Sequence, residues 1–124
     1  EKLTLENENF RKVLYTAGDS QLVIMSLLPG EEIDLETHPD NDQFFRFEKG
    51  NGKVVINETE YEVTDGDAVV IPKGSQHNVI NVGSERLQMY TLYSPAHHKD
   101  GVVMQTKAEA EVSHEEFLGV TTEQ

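Results

Sequence analysis

The chain contains no cysteine. Disulfides, thiolate metal sites and cysteine nucleophiles are therefore excluded. A small domain without such staples must be held by its core, helped by a metal or a partner subunit. Tryptophan is absent too, so five Phe and four Tyr carry the large aromatic volume. Basic residues are scarce: ten Lys and Arg against 23 Asp and Glu give a formal net charge of −13. That balance argues against nucleic acid, which is bound through a basic face that displaces counterions. It argues equally against an anionic membrane surface. A small-molecule site stays open, because local groups override the global field, and most of the acid is expected on a solvated surface. No apolar run approaches a membrane span or a signal peptide. A cytoplasmic protein is expected. The chain starts at Glu1 rather than Met, which reads as a trimmed chain.

The 124 residues suit one domain covering 1–124. Turn signals recur along it: Gly18-Asp19, Pro29-Gly30, Pro39-Asp40, Gly50-Asn51-Gly52, Asn57-Glu58, Asp65-Gly66-Asp67, Pro72-Lys73-Gly74 and Gly83-Ser84. Short runs rich in Val, Ile, Phe and Tyr lie between them, a pattern of many short strands in an antiparallel sandwich or barrel. Strands are expected at Val13–Thr16, Gln21–Leu28, Ile33–His38, Gln43–Glu48, Lys53–Ile56, Glu60–Val63, Ala68–Ile71, His77–Asn81 and Leu87–Tyr93, with Asn57-Glu58-Thr59 as a hairpin tip. Helix is expected only near the C-terminus. Thr106–Glu111 suits one short helix, and Ser113-His114-Glu115-Glu116 has the spacing of a capping box.

Residues 35–45, LETHPDNDQFF, place Glu36, His38 and Gln43 just ahead of an apolar run. On their own they read either as part of a metal site or as a polar loop entering a strand. Alternation puts Glu36 and His38 on one face, and Gln43, Phe45 and Phe47 on one face, which suits a pocket with an apolar wall and a polar end. A second constellation runs from Gly66 to Asn81. It holds Gly66, Pro72, Gly74, His77 and Asn81 with five, one, two and three residues between them. Pro72 and Gly74 make a sharp turn; His77, Val79 and Asn81 then share a face.

This second stretch resembles the second signature motif of the cupin superfamily at every position. Gly30, Glu36, His38, Gln43 and Gly50 resemble the first motif in spacing but depart from it twice. Glu36 stands where the first His is expected, and Gln43 where the Glu is expected. The resemblance covers roughly residues 20–95, is of the small single-domain "cupin 2" type, and implies an all-β double-stranded β-helix (jelly-roll) barrel with a short C-terminal helical tail. It also implies a divalent metal (Mn, Fe, Ni or Zn) held by Glu36, His38, Gln43 and His77. Two imidazoles and a carboxylate suit such ions and leave positions for a substrate. Gln43 would ligate through its oxygen, hold a metal-bound water or orient a substrate. A metal-dependent enzyme acting on a small polar organic molecule is the first expectation: dioxygenase, isomerase (of the mannose-6-phosphate isomerase-like kind), decarboxylase or lyase. A non-catalytic module binding a sugar or small carboxylate is the alternative, favoured by the scarcity of a further acid or base. No catalytic residue beyond the ligands is assigned.

Small cupins commonly dimerise. Phe10–Thr16 is the candidate for strand exchange, and Phe44, facing outward, fits a buried interface. Arg46 is expected on the outer face, and Asp40 and Asp42 in a solvated turn. Tyr90 and Tyr93 face opposite ways, with core packing expected for both. His97 and His98 are placed at the surface, with a general base at the barrel mouth as the alternative for one of them. His114 is assigned no chemistry.

Overall fold

The computed structural model describes residues 1–113 and 115–123. In chain order the elements are α1 (Lys2–Glu6), β1 (Arg11–Thr16), β2 (Gln21–Leu27), β3 (Glu36–Thr37), β4 (Asp42–Lys49), β5 (Gly52–Ile56), β6 (Thr59–Val63), β7 (Ala68–Ile71), β8 (Gln76–Asn81), β9 (Leu87–Ser94), β10 (Val103–Met104) and α2 (Lys107–Val112). The strands form a six-stranded sheet in the order β10-β1-β2-β9-β4-β7 and a four-stranded sheet in the order β3-β8-β5-β6. All pairings are antiparallel. The two sheets face each other as a jelly roll, the expected architecture. Among the described residues no helix is long and apolar enough to cross a membrane.

Period-two alternation explains the core. On β4, Gln43, Phe45 and Phe47 point inward and are 3%, 0% and 0% exposed, whereas Phe44 and Arg46 are half-buried on the outer face. Cross-strand register stacks the inner positions into rows. Val69, Phe45, Thr91, Val23 and Val13 form one row, and the next toward the mouth is Ile71, Gln43, Tyr93, Gln21 and Thr16. The rows turn polar where the barrel opens. Phe45 and Phe47 stack at 6.0 Å between ring centroids.

Several expected elements are corrected. The strand expected over Ile33–His38 shrinks to two residues, with one isolated bridge from Glu32 to Ile80. Asp34 adopts φ 83°, which an extended strand cannot accommodate. The helix expected from the capping box does not form. Ser113 is the C-cap of α2 in an extended conformation, its hydroxyl accepting from Glu115 N–H at 3.4 Å; His114 lies outside the described residues. Helix α2 itself is capped by Thr106, whose hydroxyl accepts from Glu109 N–H. Neither α1 nor β10 is expected from the pattern. The first is tethered by the Gln88 amide, which donates to the carbonyls of Leu5 at 2.9 Å and Asn7 at 3.1 Å. Strand β1 is paired on both edges within the chain, by β2 and β10.

Candidate metal centre

Short-range geometry explains why β3 and β8 converge. Gly74 adopts φ 84°, open to glycine at little cost, and its N–H donates to the His38 carbonyl at 2.9 Å. This turn sets β8 beside β3, so that Glu36 and His77 sit opposite each other in the antiparallel register. The side-chain donor atoms of Glu36, His38 and His77 all lie within 4.8 Å of one another. The His77 Nδ1 lies 3.1 Å from the Ser75 carbonyl. A proton on Nδ1 satisfies that carbonyl and leaves Nε2 as a lone-pair donor, the tautomer a metal ligand requires.

Two buried atoms in this region lack an aligned hydrogen bond. His38 Nε2 has no aligned hydrogen bond, although Glu36 Oε2 is only 2.8 Å away. Side-by-side donors at that separation fit a shared cation, because ligands about 2.1 Å from a metal at right angles stand about 3 Å apart. Gln43 Oε1 is likewise buried without a partner, while its Nε2 donates to the Thr91 hydroxyl at 3.0 Å. The amide is thus oriented by its nitrogen, with its oxygen left over. A carboxylate, two imidazoles and an amide oxygen suit a divalent first-row cation, so the residues present fit the expected group.

His98 is buried and His97 half-buried, a correction to the surface positions expected for both. The Gln21 side chain explains why: its Oε1 accepts from the backbone N–H of His97 (3.2 Å) and His98 (2.9 Å), and its Nε2 donates to the His98 carbonyl at 2.7 Å. This folds the segment back over the mouth. The His97 ring packs edgewise on His38 at 4.3 Å and stacks on Tyr93 at 5.4 Å. His98 is buried, its Nδ1 2.6 Å from Glu115 Oε1 and its Nε2 3.1 Å from the Tyr93 hydroxyl. Glu115 also accepts from Lys99 N–H at 2.7 Å. A carboxylate–imidazole–phenol chain therefore ends on Tyr93, whose ring lies 5.6 Å from His38 and which is the register partner of Gln43. Tyr93 lines the site rather than merely filling the core; Tyr90 faces the other way, against Phe44. The signal available in the sequence was only the alternation of β9.

Burial governs the protonation of the site. It pushes His77, His97 and His98 below their ordinary value. The charges of His98 and His38 drive His97 down further, to about 4, while Glu115 and Ser75 partly oppose the shifts of His98 and His77. Burial acts to raise Glu36 and Glu115, but contact with His38 and His98, respectively, outweighs it, and both end below their ordinary value. Burial also raises the Tyr93 phenol far above its ordinary value, so it is a proton donor. All five shifted histidines and carboxylates bind protons less readily when folded. Unfolding then takes up protons, and stability is lost as pH falls from about 6.5 through about 4. The metal-free protein is expected to lose about 1.4 kcal/mol per pH unit for each proton taken up. Thermal melts between about pH 7 and about pH 5 read this directly; an unchanged midpoint would contradict it.

A surface cleft of about 610 Å³ beside Lys53 and Glu62 shares no residue with the cluster. The fold is matched by comparison with known proteins. The cupin domain family model matches residues 23–93. An uncharacterized Bacillus subtilis protein, YrkC, is 42% identical over 115 residues, covering 88% of this chain and 62% of its own. An uncharacterized protein of Acanthamoeba polyphaga mimivirus is 43% identical over 104 residues, covering 81% of this chain and 65% of its own. The chain thus spans under two thirds of the length of both. The crystal structure of BH2720 from Bacillus halodurans superposes with a TM-score of 0.89 at 40% identity, covering 90% of this chain and 89% of that one. The chain belongs to the cupin domain family.

Proposed function

We propose that the chain is a metal-binding cupin that acts as an enzyme on a small polar organic molecule, with Glu36, His38 and His77 as ligands and Gln43 as the fourth ligand or water holder. The carrying observation is the buried Gln43 Oε1, which has no partner, together with His38 Nε2, which has no aligned hydrogen bond but lies 2.8 Å from Glu36 Oε2, beside a second imidazole. A divalent ion bound there supplies Lewis acidity toward a carbonyl, enol or hydroxyl oxygen. The chain's own groups do the rest. Ser75 holds the His77 tautomer, Thr91 aims Gln43, and His97 limits access of water from the mouth. Glu115 and His98 fix the position of the Tyr93 hydroxyl, which holds a proton next to the site. These groups supply the acid–base function whose absence would favour a purely binding module. Dioxygenase, isomerase, decarboxylase and lyase chemistry are all open to such a set.

Elemental analysis of protein purified without a metal-affinity tag tests the proposal. Near-stoichiometric Mn, Fe, Ni or Zn is expected. Metal-free protein that still binds a small ligand would leave the non-catalytic module instead.

A homodimer completes the proposal. Val70, Phe44, Leu92 and Leu22 are aligned in register on the outer face of the six-stranded sheet, and Val70 is 62% exposed. Sedimentation at micromolar concentration is expected to give twice the monomer mass, falling to the monomer in Phe44→Glu.

A further inference from the structure

Arg11 is the odd member of an apolar row. Phe47, Met89, Met25, Arg11 and Met104 lie side by side across β4, β9, β2, β1 and β10, and all five are buried. Arg11 is 8% exposed. Its Nε is buried without a partner, its Nη1 meets only the Met104 thioether at 3.6 Å, and its guanidinium carbon lies 5.3 Å from the Phe10 ring centroid. Among the described residues no carboxylate forms an ion pair with it. In a chain of 23 acidic residues, partners are not scarce. A buried cation without a direct ion pair is costly, although its charge reaches Glu36 and Glu115.

The nearby acids are already engaged. Lys107 holds Asp34 at 3.1 Å and Glu111 at 3.7 Å, and Glu36 faces His38. Arg11 and Glu36 line one cavity of about 130 Å³, with Asp34 and, from α2, Lys107, Ala110 and Glu111 also on its wall. A cavity of that size takes a ligand of roughly six non-hydrogen atoms.

We propose that Arg11 recognises the carboxylate of a small organic acid seated between it and the metal centre; this rests on the metal-centre proposal above. The planar guanidinium fork matches the two oxygens of a carboxylate. Glu36 lines the same cavity, so a ligand held by Arg11 brings its far end, a carbonyl or hydroxyl oxygen, toward the cluster. The cavity's other cation, Lys107, is committed to two acids, which disfavours a phosphate dianion.

The test titrates the protein, its metal content measured beforehand, with pyruvate, its neutral isostere pyruvamide and inorganic phosphate, by calorimetry. Pyruvate is expected to bind at least about tenfold more tightly than either of the others. Arg11→Met is expected to lose at least about tenfold in pyruvate affinity while keeping its metal, and to melt no lower than the parent, because an unpaired buried charge has gone. Arg11→Lys, which keeps the charge without the fork, is expected to fall between them. Equal binding of pyruvate and pyruvamide, failure to bind pyruvate, tighter phosphate binding, undiminished pyruvate affinity in Arg11→Met, or a lower-melting or unfolded Arg11→Met would overturn the proposal. Metal-free parent protein that still prefers pyruvate, and loses that preference in Arg11→Met, would overturn the metal centre alone. Stoichiometric metal without preference for pyruvate would overturn the role of Arg11 alone.

Discussion

Replacing His77 with Asn is expected to strip the protein of its metal while leaving the fold in place. His77 is 1% exposed, and its ring is held by Ser75 with Nε2 free for the cluster. Asn keeps polarity and the β8 backbone but is too short to present a donor where the imidazole does. Loss of a group that merely supports a ligand costs about 10- to 100-fold in metal affinity; loss of a ligand itself should cost on the order of 100-fold or more. Elemental analysis should then fall from near-stoichiometric to near zero. Circular dichroism should stay that of the parent, with a modest drop in melting temperature from the amide left unsatisfied. Glu36→Ala should behave in the same way. Retention of stoichiometric metal by His77→Asn would pass the ligand role to another residue, and His97, 4.3 Å from His38, is the placed candidate.

Phe45→Ala is expected to be the most destabilising single change outside the site. Phe45 is fully buried, stacks on Phe47, and lies in register between Val69 and Thr91. Truncation removes the ring from the layer directly beneath the polar row. Large-to-small changes of this kind cost about 3–5 kcal/mol, because the surroundings collapse only partly into the space. For a domain of this length that is roughly 10–20 °C in melting temperature. The same change loosens Thr91, which aims Gln43, so metal retention should weaken in the folded fraction. A loss below about 1.5 kcal/mol, of the size seen for volume-conserving swaps, would mean that Phe45 does not anchor this layer.

The strands were legible because two signals agree along most of the chain. Inward residues alternate on β4 and β9, and turn residues punctuate each run. The candidate ligands were legible for a related reason: Glu36, His38, Gln43 and His77 sit at or beside strand positions whose spacing is recognisable. What escaped depends on distant partners. Nothing around Pro95 hints that His97 and His98 fold inward; the cause is Gln21, on another strand. Glu115 looks like half of a capping box, yet its carboxylate is used by His98 and Lys99 instead. Arg11 was missed because the first strand was expected to begin at Val13, two residues late. Even with the right boundary, an arginine on an inward position reads as a surface residue until register sets it beside Met25 and Met104. The shortness of β3 follows from a positive φ at Asp34, a residue whose short polar side chain tolerates it without announcing it.

The order in which the site is assembled during synthesis follows from where its wall comes from. Glu36, His38, Gln43 and His77 leave the ribosome before Glu115, whose carboxylate locks His98 against Tyr93. The Phe117 N–H bonded to the His97 carbonyl, and the Thr122 N–H bonded to the Thr16 carbonyl, come later still. At ordinary elongation rates the ligand set is exposed for roughly a few seconds before its last wall arrives. At the proposed metal centre a cation would therefore meet an open half-shell first, with the C-terminal segment shutting behind it, so that loading and closure would be separate events in time.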